Sequence, residues 1–179
     1  MSNGIKVKKR NGRGTESLNL EKMHKMVDDA TRGLAGVSAS QVEIQSGIQF
    51  YDGITTAEIQ EILIKSASDL IDLDHPNYQF VAARLLLFSI RKSLYGRSRE
   101  LPELEDHIVK CVTQDVYDGD IYSKYSKEDI QKANGYIDHD RDFMFTYAGL
   151  RQVVDKYLVQ DRSTGQVYET PQFMYMMIA

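Results

Sequence analysis

The 179-residue chain contains a single cysteine, Cys111, and no tryptophan. One thiol cannot close an internal disulfide, form a paired-cysteine metal knuckle or run dithiol redox chemistry within the chain. The missing tryptophan decides nothing. No run of about 18 apolar residues occurs, so no membrane-spanning helix is expected. The N-terminus lacks an apolar signal core, and residence in the cytoplasm is the expectation. There is no GxxxxGK[ST] loop, so a phosphate site here would not be of the P-loop kind. His24, His75, His107 and His139 fall at no metal-ligand spacing, and each reads as a surface or capping residue. No internal repeat or low-complexity segment is found.

What is present fits a globular protein of one or two small domains, with 42% hydrophobic and 27% charged residues. The net charge of -4 is unevenly spread. Residues 1–25 carry +5, seven basic against two acidic, and residues 101–142 carry -6, five basic against eleven acidic. The first block suits a phosphate ligand. The second argues against a nucleic-acid surface in that half and reads as a solvated acidic face. Within it, Asp138, Asp140 and Asp142 mimic a cation site, although a loop or helix start explains them more simply.

Along the chain, Ile5 to Arg10 alternates Ile5, Val7 and Lys9 against Lys6, Lys8 and Arg10, a short strand. Asn11-Gly12-Arg13-Gly14 supplies a tight turn, and Thr15 to Leu18 returns as a second strand. Asn19 is placed to cap a helix bearing Met23, Met26, Val27 and Ala30, which Gly33 ends. A second helix, opened by Ser38 or Ser40, carries Val42, Ile44, Ile48 and Phe50. Thr55-Thr56 opens a third with Ile59, Ile62, Leu63, Ser66 and Leu70 at helical spacing. The fourth, roughly 76–94, is apolar around most of its surface and reads as the central helix of a bundle. The polar stretch 97–103 is the best domain boundary. Beyond it, helices are expected around 104–113, 126–135 and 146–157, a hairpin over 157–169 and a helix from Thr170-Pro171. Five apolar residues among the last seven of that helix call for a partner surface. Cys111 reads as a buried small residue on an amphipathic helix.

If the first hairpin lies across the helix ends, Lys9, Arg10 and Lys22 bracket a space that Thr56 also reaches, with Lys92 able to join from the fourth helix. Cations and helix-start N–H groups there suit phosphates, and Glu16 and Asn19 suit a ribose or base. Val7, Leu18, Met23, Phe50 and Ile59 would line the base. The alternative, a basic edge hairpin kept soluble by its lysines, stays open on spacing alone. No general base stands beside a phosphate-attacking group, so binding without turnover is the better inference.

The strings Val7-x-Lys9-Arg10-x-Gly12, Glu16-x-Leu18-Asn19-x-x-Lys22 and Thr56-x-x-Ile59 resemble the ATP-cone, a regulatory nucleotide-binding domain. The resemblance continues through 76–84 (PNYQFVAAR) and Arg91-Lys92-x-x-Tyr95-Gly96. Past these, 138–142 (DHDRD), 157–160 (YLVQ) and 168–175 (YETPQFMY) resemble the large (alpha) subunit of aerobic class I ribonucleotide reductase, in its bacterial and T-even-type phage forms.

The resemblance implies a mostly α fold. Over 5–96 it implies an ATP-cone, a small β-sheet capping a four-helix bundle. Over 97–179 it implies the start of the reductase N-terminal helical domain, with a β-hairpin, ending before the α/β barrel. It implies ATP as activator or dATP as inhibitor, held with Mg by Lys9, Arg10, Glu16, Ser17, Leu18, Asn19, Leu20, Glu21, Lys22, Thr56 and Lys92, with Val7, Met23, Phe50 and Ile59 around the base. Bacterial members carry His where this chain has Gln60, a position tied to effector discrimination, whereas T-even-type relatives carry Gln. Weak inhibition by dATP is therefore expected. No catalytic residue, metal ligand or cofactor for chemistry is assigned, because the family's reactive cysteines belong to the barrel. The chain is expected to act only with the remainder of the large subunit, with a small radical-generating beta subunit, and as a homo-oligomer in the cytoplasm (the host's, if phage-encoded). No nucleic acid or membrane is implied as a partner. A standalone ATP-cone regulator is the alternative. The bacterial repressor of that kind pairs its cone with a zinc ribbon needing four cysteines, and this chain has one.

Overall fold

The computed structural model describes residues 5–9 and 14–179, which divide into two compact units. The first comprises the described residues up to Ser89 with Phe145–Ala148, the second Ile90–Met144 with Gly149–Ala179. Arg10 and the turn 11–13 lie outside the described residues, so the expectations placed on them have no structural counterpart here.

In the first unit, β1 (Lys6–Lys8) is the middle strand of a three-stranded sheet. It pairs antiparallel with β2 (Thr15–Ser17) and parallel with β3 (Ile54–Thr55). Val7 is 2% exposed while Lys6 and Lys8 face solvent, the alternation that the sequence shows. The strands are shorter than the alternation suggests. The third strand has no counterpart in the alternation, since a two-residue segment after Gly53 has no periodicity to read.

Four helices carry this unit: α1 (Leu20–Thr31), α2 (Ala39–Gly47), α3 (Thr56–Asp69) and α4 (Tyr78–Tyr95), the last passing to the second unit at Ile90. Asn19 caps α1 by accepting the Lys22 N–H at 2.9 Å. Val27, Ala30, Leu63 and Ala67 are fully buried, as are Val81, Leu85 and Leu87 of α4, so α4 is the buried helix that its composition demands. The Tyr78 hydroxyl accepts the Ser38 N–H at 3.0 Å and donates to Gln41, fixing the start of α2 against α4.

The expected stripe of α2 does not form. Only Val42 is buried among its four members; Ile44 and Ile48 are 69% and 82% exposed. A residue two positions after Val42 points about 200° around the helix, and Ile48 falls beyond the last helical residue, so neither can share Val42's face.

The second unit contains α5 (Leu104–Thr113), the short α6 (Ile121–Lys124), α7 (Lys127–Asn134), a 3-10 turn (His139–Met144), α8 (Tyr147–Lys156, entering from the first unit), a hairpin of β4 (Gln160–Asp161) and β5 (Gln166–Val167), and α9 (Pro171–Ile178). Leu104, Ile108, Ile130 and Phe173 form its core. Ser126 and Asp129 close a capping box at the start of α7. The expected apolar face of α9 is partly covered by its own unit: Phe173 and Met174 are buried, while Tyr175 and Ile178 stay 48% and 75% exposed. α6 was not foreseen, because four residues carry no period.

Two histidines depart from the surface reading. His107 is fully buried and stacks on Phe173 at 4.2 Å between ring centroids, 5° from parallel. His139 packs its edge against the same ring at 4.8 Å. A lone histidine on an apolar helix face gives no signal of its hydroxyl partners, which here come from distant segments. His24 and His75 are exposed as expected, beside Glu43 and Asp72.

Candidate nucleotide site

The register of the small sheet organises the basic N-terminus. Lys6 opposes Ser17, Val7 opposes Glu16, and Lys8 opposes both Thr15 and Thr55. Because β2 runs antiparallel, its exit into α1 brings Leu18 to the start of β1, where its N–H donates to the Ile5 carbonyl at 2.8 Å. Because β3 runs parallel, its exit into α3 lies at the other end of β1, beside Lys8. Two helix N-termini therefore flank one basic strand, each an electropositive end with unpaired N–H groups. Asn19, Leu20, Glu21 and Lys22 belong to the α1 end, Thr56 to the α3 end.

Each expected contact residue has a definite place. Lys9 follows β1 and its Nζ lies 3.0 Å from Glu16 Oε2, with both side chains more than two-fifths exposed. A pair this open to water adds little stability and is easily exchanged for another anion. Ser17, Asn19, Leu20, Glu21 and Lys22 are exposed, and Leu18 is half-buried. The Asn19 carboxamide oxygen, expected toward ribose or base, is engaged in the α1 cap. Val7, Met23 and Ile59 are buried and Phe50 half-buried, which sets the base-lining residues within or at the edge of the apolar core. Thr56 is the first residue of α3 but not its cap: Thr55 accepts the Glu58 N–H at 3.1 Å and returns its own N–H to Glu58 at 2.8 Å. Lys92 is exposed in the last turn of α4, within the second unit.

Lys8, which is not among the expected contact residues, stands beside the α3 start. It extends along Gly53, whose φ of +85° opens the turn into β3; a Cβ there would meet Lys8 Cε at 3.8 Å. The ionised Glu58 is held below the usual carboxylate range by the Thr55 backbone N–H, then by the Thr55 and Tyr51 hydroxyls, with Lys8 contributing through its charge. The strand alternation that exposes Lys8 was the signal available for it.

Gln60 lies one turn into α3 and is 3% exposed, not on a solvated helix face. Its Nε2 donates to Met26 Sδ at 3.3 Å and to the Leu85 carbonyl at 3.4 Å, so it links α3 to α1 and α4. Among the described residues no group of three or more His, Cys, Asp or Glu side chains is disposed to hold a metal ion, and no helix is long and apolar enough to cross a membrane.

The model of the ATP cone domain matches residues 5–93, and that of the ribonucleotide reductase all-alpha domain matches residues 143–179. The whole chain is 49% identical to the ribonucleoside-diphosphate reductase 1 subunit alpha of Escherichia coli (strain K12), of which it covers 23%. It is 45% identical over its full length to the corresponding subunit of Haemophilus influenzae, again covering 23% of that protein. Over 166 residues, 92% of the chain, it is 43% identical to the subunit alpha of Enterobacteria phage T4, covering 22% of it. The chain thus spans under a quarter of the length of these relatives.

Proposed function

We propose that this chain, which belongs to the ribonucleoside-diphosphate reductase alpha subunits and corresponds to their N-terminal region, senses a nucleotide effector through residues 5–96 and carries that information to a catalytic part outside it. The effector is ATP or dATP, accompanied by Mg. Residues 97–179 are the beginning of the helical domain that joins the sensor to the barrel. Reduction of ribonucleoside diphosphates, for deoxyribonucleotide supply, is the activity of the assembled enzyme. Its partners are the barrel portion of the alpha subunit, a radical-generating beta subunit and further alpha copies, in the cytoplasm of the cell that makes it.

The observation that carries this reading is the pair of helix N-termini on either end of one basic strand. A triphosphate spreads its charge over several ångströms and needs donors along that length. The α1 start, Lys9 with Lys22, and the α3 start offer them in sequence. The Lys9–Glu16 pair is exposed and exchangeable: phosphate takes the ammonium, and Glu16 is released toward a ribose hydroxyl. Half-buried Phe50, backed by buried Val7 and Ile59, offers apolar surface for the base. Gln60, neutral and hydrogen-bonded inside the helix bundle, brings no titratable group to this end of α3, which supports weak inhibition by dATP.

Isothermal titration of the chain with Mg-ATP tests the reading. Saturable heat with a dissociation constant on the order of micromolar is expected; the absence of saturation overturns it. A standalone regulator remains the second reading, and the match of residues 143–179 to the reductase all-alpha domain weighs against it.

A further inference from the structure

The second unit holds a chain of four polar side chains, two buried and two half-buried, that the nucleotide reading does not use. Tyr95 Oη lies 3.1 Å from His107 Nδ1, and Tyr117 Oη lies 3.1 Å from His107 Nε2. The Tyr117 hydroxyl donates to Glu169 Oε2, and Glu169 Oε1 accepts the Val159 N–H at 2.7 Å. His107 is fully buried and Glu169 is 1% exposed. The chain joins the end of α4, the middle of α5, the loop after α5, and both flanks of the β4–β5 hairpin at the entry to α9. Local geometry delivers Tyr117 to this place. Asp115 adopts φ of +55° after α5, Val116 N–H closes on the Cys111 carbonyl at 2.9 Å and Asp115 N–H on Val112 at 3.0 Å, which folds the loop back over its own helix.

Proton counting gives the chain a direction. Two donors, a backbone N–H and a phenol, point at Glu169, so its carboxylate is the acceptor at both oxygens. Tyr117 has one proton and gives it to Glu169, which leaves a lone pair toward His107. Nε2 must then carry the ring proton, Nδ1 is the acceptor, and Tyr95 donates to it. We propose that Tyr95, His107, Tyr117 and Glu169 form a one-way hydrogen-bond relay in which Glu169 dictates the tautomer of His107, and that the relay is an acid-released latch on the β4–β5 hairpin and the start of α9.

Every group facing His107 agrees with a neutral ring. Phe173 of α9 covers one face, and His139 of the 3-10 turn meets the same phenyl ring. On α5 itself, Cys111 Sγ lies 3.7 Å from His107 Nε2, 3.9 Å from Nδ1 and 3.8 Å from the Tyr168 carbonyl oxygen, and Lys110 sends its ammonium to the Leu94 carbonyl over the Tyr95 ring. Arg91, on α4, is paired with Asp142. Burial opposes a second charge most, followed by the nearby Lys110 ammonium and His139. A proton added to His107 makes Nδ1 a donor, so the Tyr95 hydroxyl turns to accept it and its own proton loses the ring as acceptor. The relay then has to hold a buried charge beside Lys110 and one displaced phenol proton.

Two-bond 1H–15N correlation of the chain labelled at histidine reads which ring nitrogen is protonated. Neutral His107 with the proton on Nε2 is expected from about pH 7 to about pH 5; an Nδ1–H ring, or a charged one, overturns the proposal. Glu169→Gln retains one acceptor oxygen for two donors, so its NH2 turns to Tyr117 and the whole chain reverses, giving Nδ1–H. Retention of Nε2–H in that variant overturns control by Glu169. If Glu169→Gln does not fold, Tyr117→Phe is read instead: the pure Nε2–H state should be lost, and its persistence overturns the relay. Amide exchange at Val159 and Tyr168 reads the latch. Protection, corrected for intrinsic rate, should fall on the order of tenfold in the variant and in wild type near pH 4. Unchanged protection in both overturns the latch.

Discussion

Arg91 and Asp142 meet at 3.1 Å with their side chains 2% and 0% exposed, 51 positions apart in sequence. The same guanidinium donates to the His139 carbonyl at 2.6 Å and lies 5.0 Å above the Phe143 ring, while Gln172 donates to the second Asp142 oxygen at 3.2 Å. One ion pair therefore fixes the 3-10 turn against α4 and α9.

Removing one partner should be costly, because the other charge is left buried. Asp142→Ala is expected to lose about 3–5 kcal/mol in urea unfolding, whereas the double replacement Arg91→Met with Asp142→Leu should cost far less. Equal losses in the single and double variants would mean that packing, not charge pairing, holds this turn.

Acid should destabilise the second unit through its histidines. Burial first, then nearby Lys110 for His107 and Arg91 for His139, pushes both pKa values down to about 4. A depressed folded value means the unfolded chain takes protons first. Stability is complete above the ordinary histidine value near 6.5 and falls as pH drops toward about 4, by about 1.4 kcal/mol per pH unit for each histidine. Asp142 and Glu169, raised by burial, work the other way, because the folded chain takes their protons first. His139→Asn should roughly halve the slope between about pH 6 and pH 5; an unchanged slope assigns the acid sensitivity elsewhere.

The α3 start depends on a reciprocal cap. Thr55→Ala removes the acceptor for the Glu58 N–H and should cost about 1–2 kcal/mol of thermal stability, with Thr55→Ser close to wild type. A melting temperature indifferent to Thr55→Ala would show that parallel pairing with β1 holds the turn unaided.

Effector affinity should rest on the two lysines. Lys9→Ala and Lys22→Ala are each expected to weaken ATP by roughly 1.5–3 kcal/mol, or about 10- to 150-fold in dissociation constant. Wild-type titration curves for both variants would move the site away from β1 and α1.

Gln60 bears on inhibition. In enzyme assembled with its barrel and beta subunit, dATP should not abolish nucleotide reduction. Complete inhibition at dATP concentrations that saturate the chain would reverse this assignment.

The first unit was largely legible because its signals are local. Asn19, Gly33 and the apolar spacing of α1 and α3 specify their helices within a few residues. The basic content of residues 1–25 is visible in the sequence as well. The direction of β3 was not legible from the residues themselves. It is decided by pairing with a strand nearly 50 residues earlier, and it puts the α3 start at the opposite end of β1 from the α1 start. Ile44 and Ile48 stay outside the core because the 100° step between neighbours turns them away from the face of Val42.

By itself, then, the sequence determined the order of the helices, the apolar identity of α4, the basic N-terminal strand and the absence of paired thiols, all consequences of local periodicity and composition. Tertiary structure alone decided that His107 is an interior residue between two tyrosines, that Asp142 is a buried counter-ion and not a loop carboxylate, and that Gln60 is a core donor. The physical reason is common to all three. A polar side chain survives burial only when segments distant in sequence bring it a partner, and those partners leave no trace in the periodicity around it.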